Sequence, residues 1–320
     1  MRIRVLGSAA GGGVPQWNCA CRVCRQARAE GNFRLQDTAA VSGDGTAWYL
    51  INAAPDVRAG ILDTPELAPG PGLRDTPELA SGPGLRDTPL RGVLLTTAEL
   101  DHTLGLLSLR EAIRLRIYAT ATVTMALTSV FPVFPTLAQY TGIDVHEVSD
   151  GIALDGGLDV QRLTVGTKRP RYARADLSEE GLAEGGSPKV GGSGPKVGES
   201  GDGRGLGSCG RGDWVSALRL TDRATKKSLV YATCLPEWTE DFDAFVDGAD
   251  EVLLDGTFGT EDELTLMTGR PGTARSMGHL PMSVSREHAG RHPGTRFRFS
   301  HLNNTNPAVG DDIVADGDLL

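Results

Sequence analysis

Residues 3–6 read as a strand, with the apolar Ile3 and Val5 on either side of Arg4 at the period of two expected of a strand with one buried face. The pattern breaks at Gly7 and Ser8 and again at Gly11, Gly12 and Gly13, where the missing Cβ lets backbone approach backbone closely. A second strand is expected over 47–52 and a buried one over 92–97. After it, Leu104, Leu107, Leu109, Ile113 and Leu115 fall at helical spacing. Residues 214–220 and 228–232 read as neighbouring strands joined by the polar turn 221–227. Two further strands, 251–254 and 296–300, stop at Asp255-Gly256 and at His301. These elements indicate an α/β class. Polar residues able to bind metal fall where strands stop, which is where open α/β sheets place their sites.

Two stretches interrupt the pattern. From Asp63 the segment DTPELAPGPGLR is followed by DTPELASGPGLR and DTPL, a tandem twelve-residue repeat too short and too rich in Pro and Gly for a solenoid unit. It reads as a duplicated surface loop. Residues 178–213 hold almost no large apolar side chain and cannot offset their own ordering entropy, so a disordered insertion is expected there. The expected organisation is one domain over 1–320 with loop insertions at 63–90 and 178–213.

Composition narrows the function. A formal net charge of -9 disfavours duplex nucleic acid and anionic membrane surfaces, because no basic patch compensates for the repulsion. The opening MRIRVLGSAAGGG reaches glycine before any apolar stretch of signal-peptide length, and no run of about 18 apolar residues occurs. No nucleic-acid partner, no membrane insertion and a cytoplasmic location are therefore expected.

Five cysteines is an odd count, and three crowd into Cys19-Ala20-Cys21-Arg22-Val23-Cys24, leaving Cys209 and Cys234 far apart. In a reducing compartment such a cluster points to metal rather than disulfides. One loop carrying three thiolates can wrap three corners of a zinc tetrahedron in a structural role, the fourth ligand coming from elsewhere; the alternative is three thiols without metal.

A second group of donors lies in Thr97-Ala98-Glu99-Leu100-Asp101-His102-Thr103-Leu104-Gly105, directly after the buried strand. Glu99, Asp101 and His102 suit a divalent transition metal such as iron, manganese or zinc, or else form a helix N-terminus with carboxylates complementing its dipole. His279, in Met277-Gly278-His279-Leu280-Pro281, and His301 sit at breaks in the apolar periodicity and are further candidates. His146, His288 and His292 lie among ordinary polar neighbours and are expected at the surface. Asp255 adds a carboxylate at a strand end, with a turn-forming Asp-Gly as its plain alternative.

In order along the chain, Gln16-Trp17-Asn18-Cys19, Ala98-Glu99-Leu100-Asp101-His102-Thr103-Leu104-Gly105-Leu106-Leu107, Asp255-Gly256-Thr257-Phe258, Met277-Gly278-His279-Leu280-Pro281 and Asn303-Asn304-Thr305-Asn306-Pro307 resemble the signature segments of the PqqB family of pyrroloquinoline quinone (PQQ) synthesis proteins, over nearly the whole length. The two expected insertions depart from that family, as does Gly259, where tryptophan would stand. The resemblance implies the metallo-β-lactamase αββα sandwich, two mixed β-sheets flanked by helices. Hydrolases of that superfamily carry His-x-His-x-Asp-His after a buried strand, whereas Thr97 and Glu99 stand here in place of the first two histidines. A dinuclear hydrolase needs those imidazoles to hold two ions about 3.5 to 4 Å apart, so one metal site is expected.

The resemblance further implies that Glu99, Asp101, His102, His279 and His301 line the site with Asp255 close by, leaving open which of them ligate. It implies an iron-dependent hydroxylation of the tyrosine ring of a Glu-Tyr-derived precursor. A carrier that binds the quinone or its precursor and assists transport, and a residual metallo-hydrolase, are the alternatives. In related phosphodiesterases three clustered cysteines share structural zinc with a residue just after the last histidine, which corresponds here to Asn304. A peptide-derived or quinone substrate, other PQQ pathway proteins and a homodimer complete the expected partners.

Overall fold

The computed structural model describes residues 1–69, 88–149, 151–173 and 212–320. Most of both expected insertions, and Cys209, lie outside the described residues.

Among the described residues, twelve strands form two six-stranded sheets. The first contains, in spatial order, β1 (Arg2–Gly7), β2 (Thr38–Ser42), β3 (Trp48–Ile51), β4 (Leu90–Leu94), β5 (Arg114–Ala119) and β6 (Gly142–Glu147). The second runs from β7 (Gly151–Leu154) through β8 (Leu158–Gly166), β9 (Val215–Asp222), β10 (Ser228–Ala232) and β11 (Glu251–Asp255) to β12 (Arg296–Ser300). Each is mixed. Antiparallel pairing joins β1 to β2 and β2 to β3, and parallel pairing continues to β6. In the second sheet β7 to β10 are antiparallel, and β10, β11 and β12 are parallel.

The period of two builds three apolar layers. Tyr49 and Ile51 of β3 meet Leu229 and Tyr231 of β10 and Leu253 of β11 between the sheets. Trp48 and Leu50 point the other way, toward the side of the sheet that carries three of the first five helices. The five are α1 (Arg22–Glu30), α2 (Val57–Asp63), α3 (Leu100–Thr103), α4 (Ala121–Met125) and α5 (Val133–Leu137), of which α2, α4 and α5 supply Val57, Val123, Val133 and Phe134 to that layer. On the far side Val230, Val252 and Leu254 pack against Phe242 and Val246 of α6 (Glu240–Val246) and Met282 of α8 (Met282–Ala289), with α7 (Glu263–Thr268) between them in sequence. Helix, sheet, sheet, helix is the layering that buries both faces of each sheet. No helix among the described residues is long and apolar enough to cross a membrane.

Three local expectations are corrected. The buried strand at 92–97 ends at Leu94; the Leu95 N–H still bonds the Tyr118 carbonyl of β5, Thr96 and Thr97 turn to meet the start of β9, and 98–99 lead into α3. The leucine spacing over 104–115 does not make one helix. Leu104–Leu109 is a 3-10 segment, Ile113 is exposed, and Leu115 already belongs to β5. Gly105 sets that geometry, since a Cβ there would lie 2.0 Å from the Ala54 carbonyl oxygen, so the segment presses directly on the 53–54 backbone. Finally, the start of the repeat is not a free surface loop: Thr64 and Leu67 are buried, and Glu66 pairs with Arg4 of β1.

Candidate metal centre

The ends of β4, β10, β11 and β12, together with the residue before β2, open on one edge of the sandwich. Asp255 closes β11 and His301 follows β12. His301 adopts φ 61, a left-handed conformation uncommon outside glycine, and this swings the imidazole off the strand line into the centre. Gly256 permits the close approach of β11 to β12, since a Cβ there would meet the Ser300 carbonyl at 2.5 Å, and so places Thr257 between the histidines.

Thr257 is the hub. Its hydroxyl lies 2.6 Å from Asp255 Oδ1, 3.0 Å from His279 Nδ1 and 2.9 Å from His301 Nδ1. Asp255 Oδ2 takes His279 Nδ1 at 2.7 Å and the Leu235 N–H at 2.8 Å. On the other side Thr97 Oγ1 shares a 3.1 Å hydrogen bond with His102 Nδ1 and accepts the Glu99 N–H. Both threonines thus hold imidazoles by Nδ1. The Nε2 atoms of His102 and His301 are buried without a hydrogen-bond partner among the described residues. Bare, oriented imidazole nitrogens inside a protein are what a metal site requires.

The sequence candidates therefore converge. The rings of His102 and His301 are 5.2 Å apart and those of His279 and His301 5.6 Å. Asp101 lies 3.5 Å from His301 Nε2. Glu99 is the N-cap residue of α3, but its side chain makes no capping bond and it lines the cavity instead. Two tight donor groups form, His102 with Cys234 and His301, and Asp255 with His279 and His301; Glu99 and Asp101 join neither.

Two residues escaped the sequence. Asp37, 1% exposed, accepts hydrogen bonds from Tyr231 (2.5 Å), Thr233 (2.8 Å) and Ser300 (2.9 Å), and its Oδ2 stands 3.8 Å from His102 Nε2. Nothing flags a lone aspartate before an unrecognised strand. Cys234 carries the same signal as the others, a donor just past a strand end, but its distance along the chain from the cysteine cluster gives it no role in the sequence.

Charge is distributed unevenly over the imidazoles. Burial pushes His102 below its ordinary range, and the neighbouring His301 adds to the effect. Burial also disfavours charge on His301, but the carboxylates of Asp101, Asp37 and Asp255 outweigh it and raise this imidazole to about 9. Asp101, despite burial, is held well below the usual carboxylate range by His102 and His301.

The centre forms the floor of a cavity of about 610 Å³. Tyr172, Leu100 and Leu104 give it an apolar wall, and Lys168 and Arg171 bring cations to it. Lys168 is engaged with the Met277 carbonyl, whereas Arg171 has no hydrogen-bond or ion-pair partner among the described residues.

Cys19, Cys21 and Cys24 also come together, their donor atoms within 4.8 Å of one another, at the start of α1. Asn304 faces them, although its backbone carbonyl is the oxygen involved, accepting from Cys21 Sγ at 3.3 Å and Cys24 Sγ at 3.7 Å, while the side-chain amide donates to Cys24 at 3.4 Å. Of the histidines expected at the surface, His146 is exposed. His288 and His292 are corrected: both are half-buried against Trp238, with His292 held 3.1 Å from Asp243.

The family described as "Beta-lactamase superfamily domain" matches residues 47–185. Coenzyme PQQ synthesis protein B of Rhodopseudomonas palustris (strain BisB5) is 38% identical over 319 residues, covering 97% of this chain and 91% of the relative. The protein of the same name from Azoarcus sp. (strain BH72) is 37% identical over 327 residues, covering 100% and 95%. Among solved structures, zinc-bound PqqB from Methylobacterium extorquens superposes with a TM-score of 0.76 at 30% identity, covering 100% of this chain and 99% of that one. A diphosphatase of the PhnP family shares the fold at 17% identity, with a TM-score of 0.61 and coverage of 100% and 96%. The architecture is the metallo-β-lactamase fold.

Proposed function

The chain belongs to the coenzyme PQQ synthesis protein B family, and from that premise we propose that it is a metal-dependent oxygenase hydroxylating the tyrosine ring of a Glu-Tyr-derived precursor. Its role in PQQ biosynthesis follows from the family. The observation that carries the chemistry is the pair of buried, unpartnered Nε2 atoms on His102 and His301 at the floor of a substrate-sized cavity. A single divalent ion fits them once it displaces the His301 proton: two imidazole nitrogens face one point, carboxylates stand nearby, and outer hydrogen bonds fix the rings. Bound there, iron would supply dioxygen activation, the capacity that His and carboxylate donors with open positions confer.

The remaining tasks fall to the chain. Thr97 and Thr257 hold the imidazoles in place, Tyr172 and the leucines offer a dry wall for a phenol ring, and Arg171 offers a charge partner for a substrate carboxylate. Hydroxylation puts one atom of dioxygen into an aromatic C–H bond and reduces the other to water, so two electrons come from an external reductant. Thr97 spends its hydroxyl on His102 and on the Glu99 amide, so it does not replace the missing imidazole of a dinuclear hydrolase. The cysteine cluster with the Asn304 carbonyl is assigned a structural zinc.

Aerobic incubation with ferrous iron, a reductant and the dipeptide Glu-Tyr tests the activity. A product heavier by one or two oxygen atoms is expected. An unchanged mass together with tight quinone binding would instead establish a carrier.

A further inference from the structure

We propose that Cys234 is a ligand of the active-site ion, which is held by His102, Cys234 and His301 rather than by imidazole and carboxylate alone. The proposal rests on the metal-dependent function above and deepens it. Nε2 of His102 and of His301 are both buried and bare, and the ligand atoms of these two residues and Cys234 lie within 4.8 Å of one another. Donors about 2.0 to 2.3 Å from a shared ion span at most about 4.6 Å, so small side-chain adjustments close the set.

The thiol is not there by slack in the chain. Thr233 before it donates to Asp37 at 2.8 Å, and the Leu235 N–H after it donates to Asp255 at 2.8 Å, so the backbone is pinned on both sides. One S–H proton, a weak donor, could satisfy at most one of two imidazole nitrogens. The rival group of Asp255, His279 and His301 is already closed by hydrogen bonds, with both imidazole Nδ1 atoms on the Thr257 hydroxyl. Cys234 is a free thiol remote in sequence from the cluster at 19–24, so that cluster's zinc does not account for it. A thiolate beside two imidazoles makes the site softer, favouring zinc, copper, cobalt and iron over manganese and magnesium.

Cobalt(II) alone, added to the full chain, is the probe. Thiolate-to-cobalt absorption in the near ultraviolet reports on both sites. Three cluster thiolates and one from Cys234 contribute, so Cys234→Ser removes about a quarter of it and weakens the non-cluster site by more than the roughly 10- to 100-fold typical of losing an outer partner. Should that variant fail to fold, the unaltered chain carries the test. Alkylation at Cys234, read by peptide mass, is blocked by cobalt and restored by chelation, and it stays unblocked in His102→Ala. Equal alkylation with and without cobalt, while His102→Ala still loses one ion, overturns the Cys234 assignment and leaves the metal site standing. Retention of both ions by His102→Ala overturns both.

Discussion

Thr257 Oγ1 lies 2.9 Å from His301 Nδ1, and this contact turns the opposite, unpartnered Nε2 edge of the imidazole toward the cavity floor. Thr257→Val keeps the shape and removes the hydroxyl. Metal affinity at the pocket is expected to fall roughly 10- to 100-fold, the usual cost of losing an outer partner. Titration calorimetry with zinc checks it, and Thr257→Ser should restore most of the loss.

Asp37 ties the two sheets together, since it precedes β2 and accepts from Tyr231, Thr233 and Ser300 of the opposite sheet's edge. Asp37→Ala strands three buried hydroxyls and should cost about 3 kcal/mol, against about 1 kcal/mol for Tyr231→Phe, which removes one. Urea unfolding of both variants measures the difference.

His301, raised to about 9, holds its proton in the metal-free protein through neutral pH. Its folded value exceeds the ordinary one near 6.5, so the stability from its ion pairs is fully present below that value and is lost as pH rises through about 9. A metal must displace that proton. Apparent affinity should therefore climb at least about tenfold per pH unit through neutral pH, and more steeply in so far as the Cys234 thiol also gives up its proton to the ion. Zinc binding at the pocket of Cys234→Ser, where no thiol titrates, isolates the His301 contribution: a rise of about tenfold per pH unit up to about 9 is expected, and a flat profile would remove His301 from the ligand set.

Arg171 stands at the wall shared by the metal cavity and a neighbouring cavity of about 790 Å³ beside the cysteine loop. Tyr172 next to it donates to the Ala98 carbonyl at 2.5 Å and Ala173 is buried, so the guanidinium extends from a fixed base. Loss of a charged hydrogen bond is worth about 1.5 to 3 kcal/mol, so Arg171→Ala should raise KM for Glu-Tyr at least about tenfold with little change in kcat. The effect should shrink when the substrate carboxylates are amidated; steady-state kinetics on both substrates decides it.

Strand ends were legible because apolar period and polar donor change places abruptly there: His301 after β12 and Asp255 at the end of β11 needed no tertiary information. The leucine spacing over 104–115 suggests a helix that does not form, because spacing records burial and not continuity, and the 53–54 backbone pressing on Gly105 is a tertiary fact. Asp37 was invisible for the same reason, since its three donors come from residues about 200 or more positions away. Thr257 was quoted within a motif, yet its part as the hinge of two imidazoles exists only once β11 and β12 pair.

Elemental analysis after anaerobic purification tests the central claim, that one pocket grips one ion. Two ions per chain are expected in the native protein, one at the cysteine cluster and one at the pocket, with His102→Ala/His301→Ala retaining only the first. An unchanged metal content in that double variant would contradict it.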